Sequence, residues 1–330
     1  MKKFIINSLV FVLLGIVLGE VTMRVFNLTI DVPRSYQAAN KLIKYYPGQE
    51  GKFIRGTHEW QINKYGYAGN IPKSWNNLVL ILGDSYVENF MNPLSCHQDV
   101  YLKKQLPEFN FFEAGRSGAA ILELLEMGKE LDSLNPQVNL LYVHSSDFID
   151  CLPQSPEDSH ITFDPNSNKL QFDHYTESKF KDVVYNFKFG YYFYRNVWLS
   201  PSHSAEAKAI NSSAEAEVPV DGVKKLLQFI SKKYTLNNKV LIFRPGSDRA
   251  VVKLCADAGF KTYLLQGNPL KWRQSKDDSH WSCQGHEEAA KQVKSIIEEN
   301  IRDYYKKPEM QPLLVKNSPG RVPQEHRYEG

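Results

Sequence analysis

The chain has 330 residues, of which 42% are hydrophobic and 12% aromatic, with 40 Lys and Arg against 37 Asp and Glu. That apolar content excludes a chain disordered throughout, and only 19 glycines exclude a collagen-like repeat. A formal charge of +3, with basic residues scattered among acids, lacks the basic stripe of a nucleic-acid binder, so no nucleic-acid partner is expected.

Met1-Lys2-Lys3 precedes an apolar run from Phe4 to Gly19, broken only by Asn7 and Ser8, which continues through Glu20 to Phe26. A cleaved signal peptide needs an apolar region of about 7–15 residues and a small-residue site. Val17-Leu18-Gly19 makes a poor version of that site, whereas a spanning helix of about 20 residues fits the longer reading, so an uncleaved anchor is expected. Glu20 and Arg24, at helical spacing, would meet the interface together. The lysine pair stays cytoplasmic by the positive-inside bias, which places the rest of the chain outside the cytoplasm.

Residues 29–75 read as an irregular or short-stranded lead-in rich in aromatics. From Leu78 to Leu82 a continuous apolar run closes on Gly83-Asp84-Ser85, the pattern of a strand buried on both faces. Similar runs recur at Phe111-Phe112, Val138–Val143, Lys239–Phe243 and Lys261–Leu265. Helical patterns separate or follow them at Ala119–Leu134, Gly222–Tyr234, Ala250–Ala258 and Gly285–Tyr305. Alternating strands and helices predict a parallel sheet covered on both faces, a three-layer α/β/α sandwich. Asp150–Trp198 interrupts the rhythm as an insertion, whose aromatic cluster Tyr191–Trp198 is expected to pack beneath it, and Ser200–Pro219 has linker composition. The organisation expected is an anchor over residues 1–28, the lead-in over 29–75, an α/β domain over 76–306 with an insertion at about 150–220, and a disordered tail over 307–330.

Ligands of an open parallel sheet collect at the carboxyl ends of its strands. Those ends carry Gly83-Asp84-Ser85, Glu113-Ala114-Gly115-Arg116-Ser117-Gly118, His144-Ser145-Ser146-Asp147 and Arg244-Pro245-Gly246-Ser247, with Asp277-Asp278-Ser279-His280-Trp281 after the last strand. A serine hydroxyl attacks at neutral pH only when an imidazole takes its proton, and the imidazole needs a carboxylate on its other nitrogen. Ser85 is the expected nucleophile and His280 the base, while the N–H groups of Ser85 and Gly115 are expected to aim at a developing oxyanion.

These blocks, in this order, resemble the SGNH (GDSL-type) hydrolases over roughly Leu78 to Ile301. The resemblance implies a flavodoxin-like α/β/α fold and an ester hydrolase with Ser85, Gly115 and His280 in the family's roles. The acid is Asp277 by the common Asp-x-x-His spacing or Asp278 by the Asp-x-His-Trp form, and Trp281 favours Asp278. The third block normally carries Asn where Ser146 stands, so the third oxyanion donor is weakened to one hydroxyl. The Asp-x-His-Trp form, the N-terminal anchor and Ile62–Tyr67 look most like bacterial envelope members that act on O-acylated carbohydrate, including an acyltransferase-like branch.

The activity implied is removal of an O-acyl or O-acetyl group from a carbohydrate through a Ser85 acyl-enzyme. Transfer to a sugar hydroxyl, a lipid esterase, and a non-catalytic glycan binder with a decayed oxyanion hole stand as alternatives. Arg116 and Arg244, at the sheet's carboxyl edge, are candidates to meet an acidic sugar. No cofactor is called for, and no metal, because His280, Cys283 and His286 lack a fourth ligand and a familiar spacing. Cys96 and Cys151 are expected to pair outside the cytoplasm.

Overall fold

The computed structural model describes residues 1–153, 159–175, 179–198 and 219–306. Its first element, α1 (Lys2–Val25), reaches a mean hydropathy of 2.4 with none of its residues buried. A helix of this length and composition is compatible with membrane anchoring or with a signal sequence. The lead-in folds as two short antiparallel pairs, β1 (Ser35–Gln37) with β2 (Ile43–Tyr45) and β3 (Glu50–Lys52) with β4 (Glu59–Gln61). Trp60, Ile62 and Ala68 form a small core of their own that packs on Tyr45 and Phe90, which seats the lead-in beside the residues that follow Ser85.

The α/β unit begins with β5 (Leu78–Gly83), α2 (Ser85–Glu88), α3 (Gln98–Gln105), β6 (Asn110–Gly115), α4 (Ile121–Leu131), β7 (Val138–Val143) and α5 (Ser146–Ile149). An antiparallel pair, β8 (Ile161–Asp164) with β9 (Lys169–Phe172), and two helices, α6 (Lys179–Asn186) and α7 (Lys188–Phe193), follow as the insertion. A π-helical turn, Tyr194–Trp198, continues α7. The unit closes with α8 (Val220–Lys233), β10 (Lys239–Phe243), α9 (Arg249–Asp257), β11 (Lys261–Leu264), α10 (Pro269–Trp272) and α11 (Cys283–Lys306). Most of the linker expected at Ser200–Pro219, and the tail over 307–330, lie outside the described residues.

Five strands form one sheet in the order β11-β10-β7-β5-β6, and every adjacent pair is parallel. Counted along the chain this is the order 2-1-3-4-5, the flavodoxin-like arrangement, whose switch point lies between the first and third strands. The continuous apolar runs are continuous because both faces are covered. Along β5, Leu78, Leu80 and Leu82 enter a core shared with α4, α8 and α9, while Val79 and Ile81 enter a second core with Leu102 of α3 and Ala289, Val293 and Ile297 of α11. All five are fully buried, each worth about 1.5–3 kcal/mol against exposure. β6 is longer than its two phenylalanines suggested. Glu113 breaks the apolar pattern but is buried against His97 Nδ1 at 2.7 Å, so the strand continues past it.

Candidate active site

β5 stops at Gly83, and Asp84 caps α2 by accepting the Tyr86 N–H at 2.9 Å, which makes Ser85 the first helical residue. Ser85 therefore sits at the switch point with its N–H at a helix start, where no intrahelical acceptor exists. His280 Nε2 lies 2.7 Å from Ser85 Oγ, and His280 Nδ1 lies 2.6 Å from Asp278 Oδ1. Because an ionised carboxylate only accepts, Nδ1 carries the proton and Nε2 accepts from the Ser85 hydroxyl. Burial pushes the Asp278 pKa up, but the side-chain and backbone N–H bonds from His280 outweigh it and hold the carboxyl below its ordinary range. Both contacts are within the reach proton transfer needs. Of the two acids the sequence left open, Asp278 is the one on the imidazole; the Asp277 backbone N–H bonds Ser275 Oγ at 3.2 Å and its side chain is exposed.

The loop bearing His280 is tied to the segment after Ser85 at several points. Tyr86 donates its hydroxyl to the Ser279 carbonyl at 2.9 Å, and its ring lies 4.9 Å from the His280 ring. Asn92, buried, donates to the Trp281 carbonyl at 2.7 Å. A disulfide joins Cys96 to Cys283, which corrects the expected Cys96–Cys151 pair. The reason is packing: Cys96 stands just before α3, and α3 lies against α11, whose first residue is Cys283. Cys151 is a buried free thiol that donates to the Asp147 carbonyl.

The oxyanion side departs further from expectation. Gly115 is buried in register with Gly83, and a Cβ on it would run into the backbone of Glu88. Its glycine character thus admits α2 against β6. The next N–H, that of Arg116, bonds the Gly83 carbonyl at 3.0 Å, so by strand alternation the Gly115 amide faces away from β5 and Ser85. Ser146 opens α5, but its hydroxyl is engaged inward, 3.0 Å from His144 Nδ1 and 3.4 Å from Asp147 Oδ1. Burial and the nearby Arg244 push the His144 pKa down to about 4, so the ring is neutral at pH 7. The Ser146 N–H donates to its Nδ1 at 3.3 Å, which leaves the ring proton on Nε2.

Neither arginine expected at the rim stands free for substrate. Arg116 turns to Glu123 at 3.4 Å, and Arg244 pairs with Asp84 at 3.5 Å while lying 3.7 Å over the Tyr86 ring. Arg244 thus braces the residues on either side of Ser85. His286, buried in the first turns of α11, has its Nδ1 against Gln98 and its pKa pushed down to about 3 by burial and by the charges of His97 and His280. It does not join His280 and Cys283 in a ligand set, since Cys283 is oxidised. Sequence reasoning missed Tyr86, Asn92, Glu88 and His144. Glu88 is fully buried and accepts from the Tyr45 hydroxyl at 2.6 Å and from the N–H and hydroxyl of Ser117, tying the lead-in to the second block. Only the position of Tyr86 beside the nucleophile and of His144 at a strand end offered any signal. A cavity of about 520 Å³ lies elsewhere, at the foot of α1, with Arg24, Asp31, Trp60 and Lys188 in its lining.

No protein-family model matches the chain, and no curated protein does. Among solved structures it aligns with TesA at 11% identity, over 68% of this chain and 99% of that one, with a TM-score of 0.36. It aligns with the psychrotrophic esterase EstA from Pseudoalteromonas sp. at 11% identity, over 69% and 98% of the two chains, with a TM-score of 0.34. A GDSL-like lipase from Bacteroides thetaiotaomicron aligns at 12% identity, over 69% and 88%, with a TM-score of 0.30. These scores are low, and the fold assignment rests on the chain's own strand order and register.

Proposed function

We propose that this chain is a serine ester hydrolase of the SGNH type, anchored by α1 with its α/β unit outside the cytoplasm, that removes O-acyl groups from carbohydrate in the cell envelope. The hydrogen-bonded series Ser85–His280–Asp278 carries the reading. In the first half-reaction Ser85 Oγ attacks the ester carbonyl as its proton passes to His280 Nε2, and Asp278 stabilises the imidazolium. The Ser85 N–H at the start of α2 meets the oxyanion. Collapse expels the alcohol, which takes the proton from His280, and leaves acyl-Ser85. In the second, His280 takes a proton from water, the resulting hydroxide oxygen bonds the acyl carbon, and the carboxylic acid leaves as Ser85 recovers its proton.

The Lys2-Lys3 flank and the Cys96–Cys283 bridge support the extracytoplasmic placement. The carbohydrate rests on the motif resemblance; the inward turn of Arg116 and Arg244 withdraws the argument for an acidic sugar. The inward commitment of Ser146 favours a second reading, a glycan binder without turnover. The deciding assay follows acetate release from an O-acetylated polysaccharide, beside p-nitrophenyl esters of increasing acyl length, for the parent and Ser85→Ala. Acetate release that vanishes in the variant supports the proposal, and a sugar acceptor that captures the acyl group marks transfer. A preference that climbs with acyl length points to lipid. Saturable glycan binding, equal in both proteins and without turnover, establishes the binder.

A further inference from the structure

Of the aromatic cluster expected to pack beneath the insertion, Tyr191 is buried against Tyr185, but Tyr192, Phe193 and Tyr194, which follow it, are not, and the Trp198 side chain lies outside the described residues. Phe187, Tyr192, Phe193 and Tyr194 are 38%, 36%, 49% and 40% exposed, an apolar and aromatic surface on and around α7 that an aqueous face would not favour. What lies beside that surface is α1. A Cβ on Gly19 would collide with the Phe189 ring, so the small residue admits α7 to the helix. At the next residue, the Glu20 carboxylate accepts the backbone N–H groups of Lys188 at 3.2 Å and Phe189 at 2.8 Å. Arg24 closes the contact by pairing with Glu20 at 2.7 Å and donating to the Asn186 carbonyl at 2.6 Å. Lys188 then reaches on to the Ile30 carbonyl and to Asp31.

The depth of this junction follows from the helix rise. At about 1.5 Å per residue, Phe4 to Gly19 spans about 24 Å of a hydrocarbon core of roughly 30 Å, so Glu20 meets α7 within a few ångströms of the far boundary. A carboxylate there is costly unless its oxygens are occupied, and here an arginine and two backbone amides occupy them. Tyrosine and phenylalanine beside basic residues are the composition of a segment lying at a membrane interface.

We infer that α7 and its π-helical continuation form a second membrane contact, lying in the headgroup and upper acyl region of the bilayer beside α1. The occupant of the exposed aromatic face is lipid, continuous with the lipid around α1, and the α/β unit is held over the bilayer by two contacts in one orientation. Residues Gly19, Glu20 and Arg24 belong to this contact, so α1 is retained in the mature protein. The inference rests on α1 lying in the bilayer and is independent of the esterase chemistry.

The test uses the full chain reconstituted in phosphatidylcholine–phosphatidylglycerol vesicles, with an environment-sensitive fluorophore on a single introduced cysteine: Phe193→Cys, Tyr194→Cys, Leu13→Cys or Lys253→Cys. Native Cys151 and Cys255 are buried, and the other two cysteines are bridged, so the parent chain serves as the labelling blank. Labels at 193 and 194 are expected to be quenched about twofold by lipid spin-labelled near the headgroup and less by lipid labelled near the chain end, with the label at 13 showing the reverse. The label at 253 stays in water and is quenched by iodide. If 193 and 194 behave like 253 while 13 is quenched, the anchor stands and the second contact is overturned. Labels at 193 and 194 shielded from iodide yet untouched by either lipid quencher would mean contact with a second copy, which also overturns it. A label at 13 that no lipid quenches removes the anchor and the inference together.

Discussion

Two loops end beside Ser85 and are built on different terms. The one carrying His280 is tied to the chain after the nucleophile by Tyr86, Asn92 and the Cys96–Cys283 bridge, and its imidazole joins Ser85 to Asp278 without a gap. The one carrying Ser146 has its hydroxyl bonded to His144 and Asp147. In the esterase proposed here the difference separates nucleophile activation, which the Ser85–His280–Asp278 contacts would serve, from the third oxyanion donor, whose hydroxyl is bonded to His144 and Asp147.

The comparison is broken most severely at its shared centre. Ser85→Ala is expected to lower kcat by about ten-thousand-fold or more in an ester hydrolysis assay, without altering thermal unfolding. On the tied side, the paired change Cys96→Ala with Cys283→Ala is expected to cost about 2–5 kcal/mol in denaturant unfolding. It should also reduce kcat more than it raises KM, because His280 lies three residues from Cys283. An unchanged kcat would show that the bridge holds the fold but not the base.

Acid sharpens the other side. His144 is neutral in the folded protein, with a pKa near 4 against an ordinary 6.5. As pH falls below 6.5 the unfolded chain takes up a proton that the folded one refuses, so stability present above pH 6.5 is lost down to about pH 4. The loss from this residue is about 3 kcal/mol at full extent. His286 acts in the same direction with a pKa near 3. The buried carboxyls of Asp99 and Asp147, pushed up to about 8 by burial and by neighbouring acids, act in the opposite sense, so the check is a difference: between pH 7 and 4.5 the urea midpoint of His286→Gln should fall less, or rise more, than that of the parent. The smallest effect belongs to Ser146→Ala. Its hydroxyl faces inward, so kcat should change less than about threefold, whereas loss of a true oxyanion donor costs about a hundredfold or more.

The sheet was legible because strands covered on both faces leave runs such as Leu78–Leu82 and Val138–Val143 that only a buried parallel sheet explains. The meeting of Ser85 and His280 was legible because each stands among polar residues just where a helix begins, Ser85 opening α2 and His280 three residues before α11; nucleophile and base are the roles proposed for them. The choice between Asp277 and Asp278 was not, since adjacent residues differ only in which way the turn points them. Gly115 misled because a glycine at a strand end signals either a donor loop or a close approach, and its burial under α2 makes it the second. The bridge misled because Cys96 and Cys283 lie 187 residues apart and meet only through the packing of α3 on α11. Arg116 and Arg244 were read as rim charges because their partners, Glu123 and Asp84, are brought to them by the fold. Tyr192, Phe193 and Tyr194 were read as packing with Tyr191 because composition alone does not say that α1 stands next to them.

The central claim, an assembled triad with Asp278 as its acid, is tested most directly by the rate of fluorophosphonate labelling at pH 7, with the modified peptide identified by mass spectrometry. The parent and Asp277→Asn should label at Ser85 at equal rates, and Asp278→Asn at least about a hundredfold more slowly, because without the carboxylate the imidazole loses the tautomer that accepts the serine proton. Labelling of Asp278→Asn at the parental rate, or on a serine other than Ser85, would contradict it.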